Sequence, residues 1–102
     1  MDKQALKEKI QKAVEKNSFK NEIQRVSLFG SYAYGVPRQE SDVDILIEFI
    51  PDNTIGLFNF IKIKHDFEDF LHLKVDLATP DALSKYIREE VLQKSETLYD
   101  RK

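Results

Sequence analysis

Gly30, Ser31, Asp42 and Asp44 are the residues of this chain whose types and spacing could do chemistry. The two aspartates are two residues apart, in a stretch where Val43, Ile45, Ile47 and Phe49 alternate with Asp42, Asp44, Leu46 and Glu48. Period-two alternation argues a strand with one face on a core, so both carboxylates project from the other face. Two carboxylates on a rigid strand, with no Lys or Arg between them, repel one another unless something positive sits there. A hard cation such as Mg²⁺, which takes oxygen ligands, suits the pair. Gly30 closes the apolar run of Val26, Leu28 and Phe29, where a glycine lets backbone approach a ligand closely. Ser31 suits the cap of a short helical turn through Tyr34, ended by Gly35, whose free N–H groups would favour a phosphate.

These residues need a scaffold that brings them together. Val26, Leu28 and Phe29 belong to a strand over Ile23 to Phe29, and the eleven residues 31–41 join it to the strand from Val43 to Phe49. That connection is short for a parallel crossover, so the two strands should run antiparallel, with the phosphate cradle beside the carboxylates. A helix follows from Leu57 to Leu71, with Leu57, Phe60, Ile61, Ile63, Phe67, Phe70 and Leu71 as a broad apolar face. Leu73-Lys74-Val75-Asp76-Leu77-Ala78 then alternates again. Strand, helix, strand with this linker is a right-handed parallel crossover, which brings Asp76 towards Asp42 and Asp44. On residues alone, Asp76 reads as a solvent-facing strand carboxylate.

The remaining elements frame these. Leu6, Ile10, Ala13 and Val14 predict a helix from Asp2 to Lys16 with a solvated Lys/Glu face. Thr79-Pro80-Asp81 predicts a helix start, and Leu83, Tyr86, Ile87 and Val91 its buried stripe. Leu98-Tyr99 suggests a short extended piece near the end. His65 and His72 read as surface groups, and Asp66, Glu68 and Asp69 as helix solvation. The expected fold is α/β (α+β): a small mixed sheet of three or more strands with helices on one face.

At 102 residues the chain reads as one domain, residues 1–102, and a 41% hydrophobic content is enough for a core. A net charge of −2 lacks the basic excess of a dedicated nucleic-acid binder, so no direct nucleic-acid contact is expected. Without cysteine there are no disulfides or thiolate metal sites. Met1-Asp2-Lys3-Gln4 leads into a charged stretch rather than a signal peptide, and no apolar run has the length of a membrane span, so the expected compartment is the cytoplasm.

Gly30-Ser31 followed by Asp42-x-Asp44 resembles the signature of the nucleotidyltransferase superfamily that includes DNA polymerase beta. More narrowly, it resembles the minimal nucleotidyltransferases (MNT), often antitoxin partners of HEPN-domain ribonucleases. The resemblance covers nearly the whole chain. It implies a nucleotidyltransferase fold, with Asp42, Asp44 and Asp76 as catalytic carboxylates holding two Mg²⁺ ions. Val75-Asp76-Leu77 matches the strand that carries the family's third carboxylate, which can take the proton of the attacking hydroxyl. Gly30 and Ser31 would hold the phosphates of ATP, with Arg38 nearby. One departure is visible: the family usually has Arg where this chain has Tyr34. The implied reaction moves AMP from ATP onto a hydroxyl, tyrosine first among candidates, of a HEPN toxin, with a hetero-oligomer as the assembly. A non-catalytic antitoxin that neutralises its partner by occlusion is the alternative, and an Asp-x-Asp glycosyltransferase is disfavoured by Gly30-Ser31 and the small size.

Overall fold

The computed structural model describes residues 2–34 and 42–101, without the side chains of Ser31 and Tyr34. Four helices and four strands are described in the order α1 (Lys3–Glu15), β1 (Ile23–Phe29), α2 (Ser31–Tyr34), β2 (Val43–Phe49), α3 (Leu57–Leu71), β3 (Val75–Ala78), α4 (Lys85–Lys94) and β4 (Glu96–Asp100). The strands form one mixed sheet ordered β3-β2-β1-β4. β1 is antiparallel to β2 and to β4, whereas β3 runs parallel to β2. The antiparallel β1–β2 pair and the parallel β2–β3 crossover are the arrangement expected from loop lengths.

The core follows from the alternation. Val26 and Leu28 of β1, Val43, Ile45 and Ile47 of β2, and Val75 and Leu77 of β3 pack with Leu6, Ile10 and Val14 of α1 and Ile63, Phe67 and Leu71 of α3. α1 and α3 thus lie against one sheet face. Leu46, which alternation turns to the opposite face, is buried too, and so is Val91 of α4; both stand outside that cluster. α1 starts cleanly because the Asp2 side chain accepts from Ala5 N at 2.7 Å.

Three expectations need correction. Thr79-Pro80-Asp81 does not open the last helix: Pro80–Ala82 is a single 3₁₀ turn, Leu83 is extended (ψ 143°), and α4 starts after Ser84, whose side chain accepts from Tyr86 N. A proline fits the first turn of a 3₁₀ helix as readily as that of an α-helix. The buried stripe of that helix reduces to Val91, since Tyr86 is 84% and Ile87 46% exposed. On α3 the apolar face is narrower than its composition, with Ile63, Phe67 and Leu71 buried while Leu57 and Ile61 face outward. The extended tail is a full edge strand, β4, which pairs Val26 with Tyr99 and Leu28 with Glu96.

Candidate active site

Asp44 is the second residue of β2, an inner strand, and so lies at one end of the sheet. In register it faces Phe29 on β1 and Asp76 on β3. Adjacent strands lie about 4.8 Å apart, so the two aspartates are immediate neighbours. Asp42 precedes β2 by one residue and is exposed. Three carboxylates from two strands therefore share one end of the sheet, as the alternation required.

Gly30 closes the site from the β1 side. It has φ +73°, in the left-handed region that side chains disfavour. A Cβ placed on Gly30 would lie 2.0 Å from Asp44 Oδ2 and 2.8 Å from its Cγ. The Asp44 carboxylate thus rests against bare backbone, and only glycine leaves that space. α2 starts immediately afterwards, and Ala33 N donates to Gly30 O at 3.1 Å. The last turn of α2 is tied to α1, where Lys3 Nζ donates to Ala33 O at 2.6 Å. Backbone N–H groups at the start of so short a turn lack partners within it. Arg38 lies outside the described residues, and for Ser31 only the backbone position is described.

The electrostatics follow from this crowding. The Asp44 carboxyl is pushed up to about 6, first by burial, then by the negative charges of Asp76 and Asp42, and by a hydrogen bond with Asp76. Two carboxylates this close disfavour both being charged, which adds to the effect of burial on Asp44. A divalent cation relieves the same repulsion, and the donor set of carboxylate oxygens fits a hard ion such as Mg²⁺. Among the described residues, no group of three His, Cys, Asp or Glu side chains is already gathered as a metal cage. The geometry supplies a pair, Asp44 with Asp76, and an outlying Asp42. Mg²⁺ is commonly held by one or two carboxylates plus substrate phosphates, so a closed protein cage is not required.

Comparison with known proteins gives the family and the fold. The family described as Polymerase beta, Nucleotidyltransferase matches residues 8–102. The chain belongs to that nucleotidyltransferase family. The protein adenylyltransferase MntA of Thermococcus cleftensis is 35% identical over 71 residues, 70% of this chain and 70% of that one. A structure presented as a minimal nucleotidyltransferase is 30% identical with a TM-score of 0.75, covering 93% of this chain and 94% of the other. The fold also matches that of a tri-AMPylated Shewanella oneidensis HEPN toxin in complex with its MNT antitoxin, at 22% identity, a TM-score of 0.69, and coverage of 97% and 73%. As a nucleotidyltransferase the chain has a nucleotide substrate. Among the described residues, no helix is long and apolar enough to cross a membrane.

Proposed function

We propose that this nucleotidyltransferase moves AMP from ATP onto a hydroxyl of a partner protein, and that Asp42, Asp44 and Asp76 are its metal-binding and catalytic carboxylates. The observation that carries the reading is the register pairing of Asp44 with Asp76 beside a bare Gly30. Relatives bearing the name protein adenylyltransferase support the reaction class.

In this reading Gly30 and the first N–H groups of α2, with Ser31, receive the triphosphate next to the carboxylates. Asp44 is the more enclosed of the pair and holds its position against Gly30. Asp76 is exposed on the edge strand, where an acceptor hydroxyl can reach it, and takes that hydroxyl's proton. The acceptor oxygen bonds to the α-phosphorus as the bond to pyrophosphate breaks. Mg²⁺, when bound by Asp42, Asp44 and Asp76, supplies charge screening and alignment of the attacking and leaving oxygens.

The partner we propose is a HEPN-domain toxin, with this chain as its antitoxin in the cytoplasm; neighbours of the same fold form such complexes. Tyr34, in place of the family's Arg, keeps a second reading in play, in which the chain neutralises its partner by occlusion. Incubation with Mg²⁺ and a HEPN protein encoded beside it, using ATP labelled at either the α- or the γ-phosphate, separates the two. Label retained from the α-phosphate alone is adenylyl transfer. Complex formation without label is occlusion.

A further inference from the structure

The Lys74–Val75 peptide unit, one residue before the peptide that leads into Asp76, is held from both sides. Its carbonyl, Lys74 O, accepts from Val43 N at 2.9 Å, which ties it to the residue between Asp42 and Asp44. Its N–H belongs to Val75 and donates to Glu68 Oε2 at 3.0 Å. β3 is the edge of the described sheet, and among the described residues no further strand pairs with it on the side away from β2. The last turn of α3 supplies the acceptor instead.

Glu68 is well fixed for this role. Its own carbonyl accepts from His72 N at 2.8 Å, and His72 turns the chain with φ 58°, so α3 ends where its carboxylate can reach β3. The other carboxylate oxygen lies 3.7 Å from His65 Nδ1, and the Glu68 side chain is only 23% exposed. Spacing along the helix marks this residue as solvation; the contact shows it bonded to the strand instead.

We propose that Glu68 is a positioning residue for the aspartate pair. By accepting the Val75 N–H it fixes the start of β3, and so holds Asp76 in register with Asp44. It acts through Asp76 and touches neither phosphate nor cation. The proposal rests on the assignment of Asp44 and Asp76 as metal ligands.

The test compares Glu68→Ala, Glu68→Asp and Glu68→Gln with the wild type. The readouts are amide hydrogen exchange at Val75 and the Mg²⁺ concentration giving half of the Mg²⁺-induced rise in melting temperature. In Glu68→Ala both should move by about tenfold, the scale on which residues that orient metal ligands act. The amides of Ile45 and Ile47 should keep their rates. Glu68→Asp keeps the charge but loses the reach, and should behave like the alanine protein; if Glu68→Ala fails to fold, this variant decides. Glu68→Gln keeps an acceptor oxygen and should stay within about threefold of wild type.

Unchanged Val75 exchange in Glu68→Ala or Glu68→Asp overturns the proposal. So does faster exchange with unchanged Mg²⁺ dependence, or a glutamine variant as impaired as the alanine one. A wild type without any Mg²⁺ shift overturns it together with the metal assignment. Neither readout uses turnover, so a wild type that shows the Mg²⁺ shift but labels no partner sinks the transfer reading alone.

Discussion

Asp44 and Asp76 are register partners on adjacent parallel strands, and burial, together with the negative charges of Asp76 and Asp42, pushes the Asp44 carboxyl up to about 6. The pair is a local fault in the stability of the sheet, and the strain it carries is what a cation at this site would remove.

The pH dependence has a definite sign. Asp44 binds a proton more tightly folded than unfolded, its value rising from 3.8 to about 6, so stability is lost as pH climbs through that window and stays lost above it. The full shift corresponds to about 3 kcal/mol, and solvent screening of this partly exposed group reduces it to about 1–2 kcal/mol. In EDTA, Asp44→Asn should melt higher than wild type at pH 7.5, by roughly 4–16 °C for a domain of this size. At pH 4 the difference should nearly vanish. Melting curves at the two pH values check both.

Mg²⁺ should act on the same strain. At ten times its dissociation constant it adds about 1.4 kcal/mol through linkage, or roughly 6–11 °C in melting temperature. Asp44→Asn should erase most of that rise. Equal Mg²⁺-induced shifts in the two proteins would remove support for the carboxylate site.

Much of this was legible in the chain, and the reason is period-two alternation. It marked Val43 to Phe49 as a strand with Asp42 and Asp44 on its open face, and Val75-Asp76-Leu77 as a second strand of the same kind. Connection lengths then decided antiparallel for one pair and parallel for the other. β4 was only half visible: of its residues Leu98 alone is buried, and pairing with β1 more than 65 residues away leaves no local mark. The start of α4 was misplaced because Thr79-Pro80-Asp81 carries the same chemistry in a 3₁₀ turn as in a helix. Glu68 was missed because its partner, Val75 N, is a backbone group, which spacing along a helix cannot reveal. The assignments of Ser31 and Arg38 rest on the family motif, since the Ser31 side chain and all of Arg38 lie outside the described residues.

Gly30 offers a sharper test of geometry. Gly30→Ala forces a side chain into a left-handed backbone and a methyl group into the Asp44 carboxylate, which lies 2.0 Å from its position. The backbone strain alone costs about 1–3 kcal/mol. Asp44 must also shift, so the Mg²⁺-induced rise in melting temperature should fall as well. Differential scanning calorimetry with and without Mg²⁺ measures both. A variant that keeps the wild-type Mg²⁺ shift would show that Asp44 does not depend on the bare backbone.

α3 should show an uneven response to truncation. Phe67 is fully buried, and Phe67→Ala should cost about 3–5 kcal/mol. Phe58 is 87% exposed one residue into the helix, and Phe58→Ala should stay within about 0.5 kcal/mol. Urea denaturation distinguishes them; similar losses at both positions would contradict the face assigned to α3.

The central claim is that the paired aspartates carry out adenylyl transfer. Its most direct measurement is the rate at which a neighbouring HEPN protein gains label from ATP marked at the α-phosphate, using wild type, Asp44→Asn and Asp76→Asn with complex formation measured in parallel. Wild type should label the partner in Mg²⁺ and not in EDTA. Each variant should still bind the partner yet lose at least about a hundredfold in rate, as expected when a metal-holding or proton-accepting group is removed. Labelling by Asp44→Asn or Asp76→Asn at the wild-type rate would contradict the account.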